Sequence, residues 1–272
     1  MRKIKTAILV TGAAGDLGKA IVEMAFSLPG TDIIIATDIK ENVLDIYSQN
    51  DRVRPYVMDA SSGSSVVSVR TSLEEYNIRV KYIVNNAGVF FFHPVSELTE
   101  ELLDRILKVN TYAPVITVSC FLEHLKETQG RVVQISSCGV KFPTFFQSYP
   151  ASKIAMEAFS VSMRQELNLL GIDLVLIRSG AIKTSLLGEM KRTAVPPEKS
   201  LYKDFYIRFL DSVNKNVGKV IEPSEAAKTV GKALTASKPK YIYTINRNRT
   251  ISIMSLFPQR LRDFLLRQSV KK

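Results

Sequence analysis

The sequence predicts an α/β fold in which a doubly wound parallel sheet carries helices on both faces. Short apolar runs alternate with amphipathic runs of helical period along most of the chain. The apolar runs, such as residues 33–36, are continuously apolar, which is typical of strands buried on both faces of a parallel sheet. With 272 residues, of which 46% are hydrophobic, the chain can form one large core, and we expect a single domain over residues 1–272.

The first predicted unit is a strand, a glycine-rich turn, a helix and a second strand. The apolar run Ile4–Val10 is followed by the stretch TGAAGDLG at residues 11–18. An amphipathic run then extends from Ala20 to Leu28 and ends before a Pro-Gly pair. The second strand places Asp38 at its carboxyl end.

The alternation continues along the chain. We predict further strands at Arg54–Met58, Val80–Val84, Arg131–Ile135, Asp173–Ile177 and Lys240–Ile245. We predict helices at Ser64–Tyr76, Leu98–Lys126 (interrupted near Pro114), Pro150–Leu170 and Pro223–Ala236. Residues 186–220 break the pattern with two adjacent prolines and scattered aromatic residues. We predict that this segment is a lid over the site, with an ordinary packed excursion as the alternative.

Glycines at positions 12, 15 and 18 indicate a phosphate-binding turn. They allow close approach of the backbone to a pyrophosphate, and the N-terminus of the following helix supplies N–H donors. Asp38 follows at the end of the next strand, where a carboxylate can accept hydrogen bonds from ribose hydroxyls and repel a 2′-phosphate. The sequence therefore predicts NAD rather than NADP, with a strand-end cap as the alternative role for Asp38.

The stretch Tyr149-Pro150-Ala151-Ser152-Lys153 places a phenol and an ammonium on one face of a helix. Pro150 suits the first helical turn, because its missing N–H would have no partner there. An ammonium close to a phenol favours the phenolate, so we expect Lys153 to lower the pKa of Tyr149 and make it an acid–base group. A surface tyrosine beside a solvated lysine is the alternative.

Together with these residues, further motifs resemble the short-chain dehydrogenase/reductase family, from about Lys5 to Thr184. They include the glycine turn, the sheet-stabilising element Asn85-Asn86-Ala87-Gly88 and the adenine-side pair Asp59-Ala60. The resemblance implies a Rossmann-type fold and catalytic roles for Asn110, Ser137, Tyr149 and Lys153. It implies cofactor contacts from Gly12, Ala14, Gly15, Asp16, Leu17, Gly18, Asp38, Asp59, Ala60, Asn86, Ala87, Gly88, Tyr149, Lys153, Gly180, Ile182 and Thr184.

In the mechanism that the resemblance implies, Tyr149 exchanges the hydroxyl proton and Ser137 hydrogen-bonds the substrate oxygen. Lys153 also holds the nicotinamide ribose, and Asn110 positions a water on Lys153. Ile182 and Thr184 hold the nicotinamide carboxamide.

Three departures from the family pattern stand in the sequence. Asp16 occupies a position where the family usually has glycine or alanine, and we interpret it as the N-terminal residue of the helix. The spacing TGAAGDLG is similar to the extended branch of the superfamily. Ser179-Gly180 replaces the usual Pro-Gly, which should loosen that turn. Ser136 would restore the commoner spacing to Tyr149, but we favour Ser137 as the catalytic serine.

Apolar residues follow the predicted strand ends and suggest the substrate class. They are Phe90, Phe91, Phe92, Val140, Phe142, Phe145 and Phe146, with Leu186 and Leu187 in the lid. They favour a hydrophobic secondary alcohol or ketone, steroid- or retinoid-like, and the carboxyl-terminal region resembles hydroxysteroid and retinol dehydrogenases. The alternatives are that these side chains are core or oligomer contacts, that the substrate is a small polar carbonyl, or that the protein is a non-catalytic dinucleotide sensor.

The net charge of +11 is concentrated at the carboxyl end. From residue 238 onward there are nine Lys or Arg and one acid, Asp263, so this tail carries +8. Residues 246–272 form a basic amphipathic extension, which predicts a peripheral membrane contact; packing on a neighbouring subunit, closure of the pocket or an ordinary packed helix are alternatives. Nucleic-acid binding is not expected, because no recognised motif accompanies the charge.

The remaining composition bears on compartment and assembly. Cys120 and Cys138 lie in apolar stretches and are expected to be reduced, which favours a cytoplasmic protein, with possible membrane association. The two histidines, His93 and His124, have no ligand-like companions, so we expect no metal. No apolar run is long enough for a transmembrane helix. The family resemblance implies a homodimer or homotetramer.

Overall fold

The computed structural model describes residues 4–192, 195–215, 218–247 and 249–271. Its strands are β1 (Lys5–Thr11), β2 (Ile33–Asp38), β3 (Val53–Val57), β4 (Ile78–Asn85), β5 (Arg131–Ser137), β6 (Asp173–Ser179) and β7 (Ile242–Ile245). Its helices are α1 (Asp16–Ala25), α2 (Val43–Ile46), α3 (Gly63–Glu75), α4 (Glu100–Leu107), α5 (Ala113–Cys120), α6 (Leu122–Thr128), α7 (Ser148–Leu169), α8 (Ser185–Arg192), α9 (Lys203–Lys215), α10 (Pro223–Thr235), α11 (Arg249–Met254) and α12 (Gln259–Lys271).

The strands form one parallel sheet in the order β3-β2-β1-β4-β5-β6-β7. The winding reverses between β1 and β4, so a crevice opens at the carboxyl ends of these two strands, where ligands bind in such sheets. The predicted fold class is therefore confirmed.

Helices cover both faces of the sheet, which explains why the strands are continuously apolar. Residues 7–10 of β1 are fully buried. On one face the strands pack with Ile21 and Val22 of α1 and Val230 of α10. On the other they pack with Leu73 of α3 and Met156 of α7. Each fully buried Ile, Leu or Val contributes about 1.5–3 kcal/mol relative to exposure.

The long helical region after β4 is interrupted where the sequence predicts it. A π-helical turn, Lys108–Tyr112, separates α4 from α5, and Pro114 lies in the first turn of α5. Proline is tolerated there because its missing N–H would have no intrahelical partner. The π-helical turn carries Asn110 into the interior of the protein.

The described part of the chain after β6 contains helices α8 to α12 and strand β7. The predicted lid contains α8 and α9, and the basic extension contains α11 and α12; residues 193–194, 216–217, 248 and 272 lie outside the described residues. The lid role of the first segment stays a prediction. Across the described ranges, none of the helices combines the length and the apolar character needed to cross a bilayer.

Both cysteines are free, as expected: Cys138 is buried and Cys120 is partly exposed. In the part of the chain that the structure describes, no three His, Cys, Asp or Glu side chains are grouped as metal ligands would be.

Candidate active site

The glycine turn between β1 and α1 has the shape of a phosphate cradle. Gly12 has φ +68°, in the left-handed region that favours glycine. A Cβ atom on Gly18 would lie 2.0 Å from the carbonyl oxygen of Gly12, and one on Gly12 would lie 2.9 Å from the Cα of Ala87. The turn therefore brings the backbone close to the N-terminus of α1, whose free N–H groups suit a pyrophosphate. These residues fit a dinucleotide.

Asp16 is the first residue of α1, as predicted, but its carboxylate does not cap that helix. It accepts the backbone N–H of Ser185, the first residue of α8, at 2.6 Å. This hydrogen bond holds the pKa of Asp16 below its ordinary value. Asp16 therefore links the glycine turn to the predicted lid, a contact between residues far apart in the sequence.

Asp38 ends β2 beside the glycine turn. Its side chain is buried, and its two carboxylate oxygens accept backbone N–H groups of Ala14 and Lys40, each at 3.0 Å. The capping role considered from the sequence is thus present. Each carboxylate oxygen has a second lone pair, so this arrangement leaves acceptor capacity for a ribose.

The segment after β4 is tied to β1 by hydrogen bonds. The hydroxyl oxygen of Thr11 accepts the backbone N–H groups of Asn86 (3.0 Å) and Ala87 (3.1 Å). The side-chain amide of Asn86 donates to the carbonyl oxygens of Thr11 and Gly12. This segment has the sheet-stabilising role that the resemblance implied, and it holds Gly88 at the crevice.

Asp59 and Ala60 lie just after β3, at the same edge of the sheet. The carboxylate of Asp59 accepts the backbone N–H and the hydroxyl of Ser61 at 2.8 and 2.7 Å, which orders this loop. Ala60 packs against the core and stays partly exposed. The structure therefore brings this pair to the edge that carries Asp38.

Tyr149 and Lys153 lie in the first turns of α7, on one face as predicted. Lys153 is buried, and its Nζ donates to the carbonyl oxygen of Ile135 at 2.9 Å. Nζ lies 5.8 Å from the centroid of the Tyr149 ring, and that ring packs on Phe90 with centroids 5.0 Å apart. The alternative of a solvated surface pair is wrong.

The expected lowering of the Tyr149 pKa is also wrong for this arrangement. Burial raises the pKa of Tyr149 to about 12. Burial likewise lowers the pKa of Lys153 to about 8. Desolvation outweighs any attraction between the two groups, because Lys153 is buried, Tyr149 is only partly exposed, and the ammonium is directed to a carbonyl oxygen. Tyr149 is therefore a protonated phenol in the protein by itself.

Asn110 connects the end of β4 to the start of α7. Its side-chain amide exchanges hydrogen bonds with the backbone of Val89, both at 2.9 Å, and donates to Ser152 Oγ at 3.0 Å. Ser152 donates in turn to the carbonyl oxygen of Tyr149 at 2.8 Å. A Cβ atom on Gly88 would lie 3.3 Å from Asn110 Oδ1. No role was predicted for Ser152, although its place within the Tyr149–Lys153 turn was a signal.

The two serines that end β5 face opposite ways, since side chains alternate along a strand. Ser136 is fully buried and donates its hydroxyl to Glu157. Ser137 stays partly exposed and accepts the backbone N–H of Gly139 at 3.1 Å. A Cβ atom on Gly139 would lie 3.3 Å from Ser137 Oγ and 3.5 Å from Pro150 Cγ, so Ser137 borders the start of α7. This geometry favours Ser137 over Ser136 as the candidate catalytic serine.

A partly buried ion pair close to Lys153 was not predicted. Arg178 donates from Nε and Nη2 to the two carboxylate oxygens of Glu157 at 3.0 and 2.6 Å. This pairing raises the pKa of Arg178, and the Glu157 charge offsets part of the lowering of the Lys153 pKa. The sequence holds no local signal for this pair, because Glu157 lies in α7 and Arg178 in β6.

The segment after β6 carries the remaining predicted cofactor residues. A Cβ atom on Gly180 would lie 2.0 Å from the carbonyl oxygen of Asn246, so the backbone is packed too closely there for another residue. Ile182 is buried, and Thr184 accepts the backbone N–H of Leu187 at the start of α8. Gly180, Ile182 and Thr184 thus follow the carboxyl end of β6 and lead into α8.

The predicted pocket residues divide into two groups. Phe92, Phe142 and Phe146 are buried, and we correct their assignment from pocket to core. Phe92 and Phe146 belong to a cluster, named here the aromatic cluster, that also contains Tyr206, Phe209, Leu210 and Val270. Phe91, Val140, Leu186 and Leu187 stay partly exposed, and Phe90 and Phe145 pack on the aromatic cluster.

Known proteins resemble this chain along most of its length. A family profile described as short chain dehydrogenase matches residues 6–194. An NADPH-dependent 3-dehydrocapnine reductase of Ornithobacterium rhinotracheale is 30% identical and aligns over 97% of each chain. The short-chain dehydrogenase/reductase family 9C member 7 of Bos taurus is 25% identical, over 95% of this chain and 88% of that protein.

Solved structures share the fold. A crystal structure of a short-chain dehydrogenase from Streptomyces avermitilis is 26% identical, with a TM-score of 0.77, over 97% of this chain and 96% of that one. Levodione reductase, at 22% identity and a TM-score of 0.75, has the same fold. Because the profile spans more than half of the chain and a relative is 30% identical over nearly all of it, the protein belongs to the short-chain dehydrogenase/reductase family of oxidoreductases.

Proposed function

We propose that the protein is an NAD-dependent oxidoreductase that acts on a hydrophobic secondary alcohol or ketone, steroid- or retinoid-like. The observation that supports this best is the position of Tyr149. Its phenol group lies at the start of α7, its ring packs on Phe90, and the ammonium of Lys153 is buried one turn below. An acid–base group beside an apolar side chain suits a substrate whose reacting oxygen is attached to a hydrophobic skeleton.

Each residue has a distinct role in this proposal. Bound nicotinamide supplies or accepts the hydride. Tyr149, protonated because burial raises its pKa to about 12, donates its proton to the carbonyl oxygen of a ketone. Ser137 donates a hydrogen bond to the same oxygen. Lys153 holds the nicotinamide ribose, and Asn110 keeps the start of α7 in register with the end of β4.

The NAD preference rests on Asp38. Its carboxylate is held beside the glycine turn by Ala14 and Lys40, so a negative charge stands where a 2′-phosphate would be placed. The Ornithobacterium relative is NADPH-dependent by name, so the two cofactors have to be compared directly. We expect a higher kcat/KM with NADH, and we expect Asp38→Ser to raise the relative use of NADPH. Preference of the wild type for NADPH would refute this role of Asp38.

The catalytic assignment is tested by Tyr149→Phe. Turnover is followed by absorbance of reduced nicotinamide with a panel of ketosteroids, retinal and simple ketones. We expect turnover to fall by about 100-fold or more, the range for general acid catalysis, while NADH binding measured by fluorescence is retained. Tyr76→Phe makes the same change at an exposed tyrosine that is not among the predicted site residues, and it serves as the control.

The outcomes separate this proposal from its alternatives. Full turnover in Tyr149→Phe would refute the assignment. Wild-type protein that binds NADH and turns over no member of the panel would favour the non-catalytic sensor. Turnover of small polar carbonyls alone would refute the hydrophobic substrate class and keep the reaction type.

We also propose a homodimer or homotetramer. Apolar side chains on α4 and α7 are exposed, with Leu103, Leu107, Ile154 and Val161 each at 39% or more of full exposure. Exposed apolar patches of this kind commonly mark contacts between copies of a chain. Size-exclusion chromatography with light scattering tests this, and a monomer at micromolar concentration would contradict it.

A further inference from the structure

Helix α12 has an inner face that fixes it to the rest of the protein. Val270 is buried in the aromatic cluster. Arg208 of α9 donates from Nη1 to the carbonyl oxygens of Val270 (3.3 Å) and Lys271 (3.2 Å), at the carboxyl end of α12. Such bonds satisfy carbonyl groups that have no partner within the helix. The helix is therefore a packed part of the fold, and its exposed side keeps one orientation.

The outer face of α12 is a cationic stripe around an aromatic ring. Arg260, Phe264, Arg267 and Lys271 are spaced by four, three and four residues, which places them on one face of a helix. All four are exposed, and Phe264 has 55% of full exposure. Asp263, the one acid of the basic tail, accepts a hydrogen bond from Gln259 at 2.7 Å.

More apolar surface precedes this helix. Leu256, between α11 and α12, has 82% of full exposure, and Ile253 in α11 has 57%. Both side chains lie in a tail that carries a charge of +8, with Arg249 four residues before Ile253 and Arg260 four residues after Leu256 in the sequence. We name Ile253, Leu256, Arg260, Phe264, Arg267 and Lys271 the terminal face.

We propose that the terminal face binds the surface of an anionic phospholipid bilayer. Exposed Phe and Leu side chains enter the boundary between headgroups and acyl chains, while Arg and Lys contact the phosphate and carboxylate groups.

Other occupants fit the terminal face less well. A second copy of the chain meeting it face to face would bring two clusters of positive charge together, which is unfavourable. A nucleic acid would pair with the cations but has no use for the exposed aliphatic side chains of Ile253 and Leu256. An anionic bilayer can bind both the cationic and the apolar side chains of the terminal face.

The terminal face is connected to the candidate active site through packed side chains. The inner face of α12 packs on α9 and on the aromatic cluster, and Phe90, which contacts Tyr149, packs on the same cluster. A bilayer at the terminal face would therefore lie on the side of the molecule that carries the predicted lid.

The test is sedimentation of the full-length protein with vesicles. Phosphatidylcholine vesicles are compared with vesicles that also contain phosphatidylserine, at low and high salt. We expect binding to the mixed vesicles only, weakened by salt. Arg267→Gln and Lys271→Gln should each lower the partition coefficient about fivefold, and Phe264→Ser should lower it as well.

Matched controls alter other exposed residues. Leu169→Ser removes an exposed leucine of α7 with 86% of full exposure, and Lys228→Gln removes an exposed cation of α10. Both should bind the mixed vesicles like the wild type, and all variants should keep the thermal midpoint of the wild type. Absence of wild-type binding, equal binding to both kinds of vesicle, or equal losses in the controls would overturn the proposal. A change of oligomeric state in Phe264→Ser without a change in vesicle binding would also overturn it.

Discussion

Glu157→Ala is expected to destabilise the protein strongly, although the residue contacts no predicted ligand. The carboxylate accepts two hydrogen bonds from Arg178 and one from Ser136. The Glu157 side chain has 11% of full exposure, and the Arg178 side chain has 19%. Removing one partner of a buried pair costs about 3–5 kcal/mol, and we expect about 3 kcal/mol here because the guanidinium keeps some contact with water. For a chain of this size that corresponds to a fall in Tm of roughly 6 to 12 °C.

The measurement is thermal and urea unfolding of Glu157→Ala, Arg178→Met and the double variant. The free energy of unfolding should fall much less in the double variant than the sum of its falls in the two single variants, because the double variant has no uncompensated charge. Glu166→Ala, on an exposed glutamate of α7, is the control and should stay within about 0.5 kcal/mol of the wild type. A loss below about 1 kcal/mol in Glu157→Ala, or full additivity of the single variants, would refute the reasoning.

The same pair predicts an effect on the pH dependence of function. The charge of Glu157 offsets part of the lowering of the Lys153 pKa that burial causes. Glu157→Gln should therefore bring the pKa of Lys153 further below about 8. Lysine is charged below its pKa, so the alkaline limit of NADH binding should move to lower pH in the variant. An unchanged pH profile in a folded variant would contradict this coupling.

Three further predictions concern other parts of the fold. Gly18→Ala should abolish dinucleotide binding or unfold the turn, because its Cβ would lie 2.0 Å from the Gly12 carbonyl oxygen; binding by calorimetry at wild-type affinity would contradict this. Asp16→Ala should free the N-terminus of α8 from the glycine turn and increase amide exchange at Ser185, and unchanged exchange would argue against the link. Burial lowers the pKa of His124 from 6.5, so the unfolded chain binds its proton more readily and stability should fall as pH drops below 6.5. Urea unfolding on both sides of that pH tests this, and the free energy of unfolding of His124→Gln should depend less on pH than that of the wild type.

Features that depend on short stretches of chain could be predicted from the amino-acid sequence. Continuous apolar runs predicted a doubly buried sheet, and Pro114 predicted the break that places Asn110 in its π-helical turn. The glycines of the first turn and the four-residue spacing of Tyr149 and Lys153 predicted where the crevice and the start of α7 would be. Each of these follows from backbone sterics and helical or strand period, which act between near neighbours.

The electrostatic arrangement of the site could not be predicted in this way, because it depends on contacts between distant parts of the chain. The Tyr149 pKa is raised and not lowered, because enclosure by groups from several elements outweighs one nearby ammonium. The bonds of Asp16 to Ser185 and of Glu157 to Arg178 join residues from separate elements of the chain. Phe90 contacts both Tyr149 and Phe92 and stays partly exposed, while Phe92 is buried in the aromatic cluster. Desolvation and ion pairing depend on which atoms surround a group, and residue spacing does not specify those atoms until the whole chain is packed.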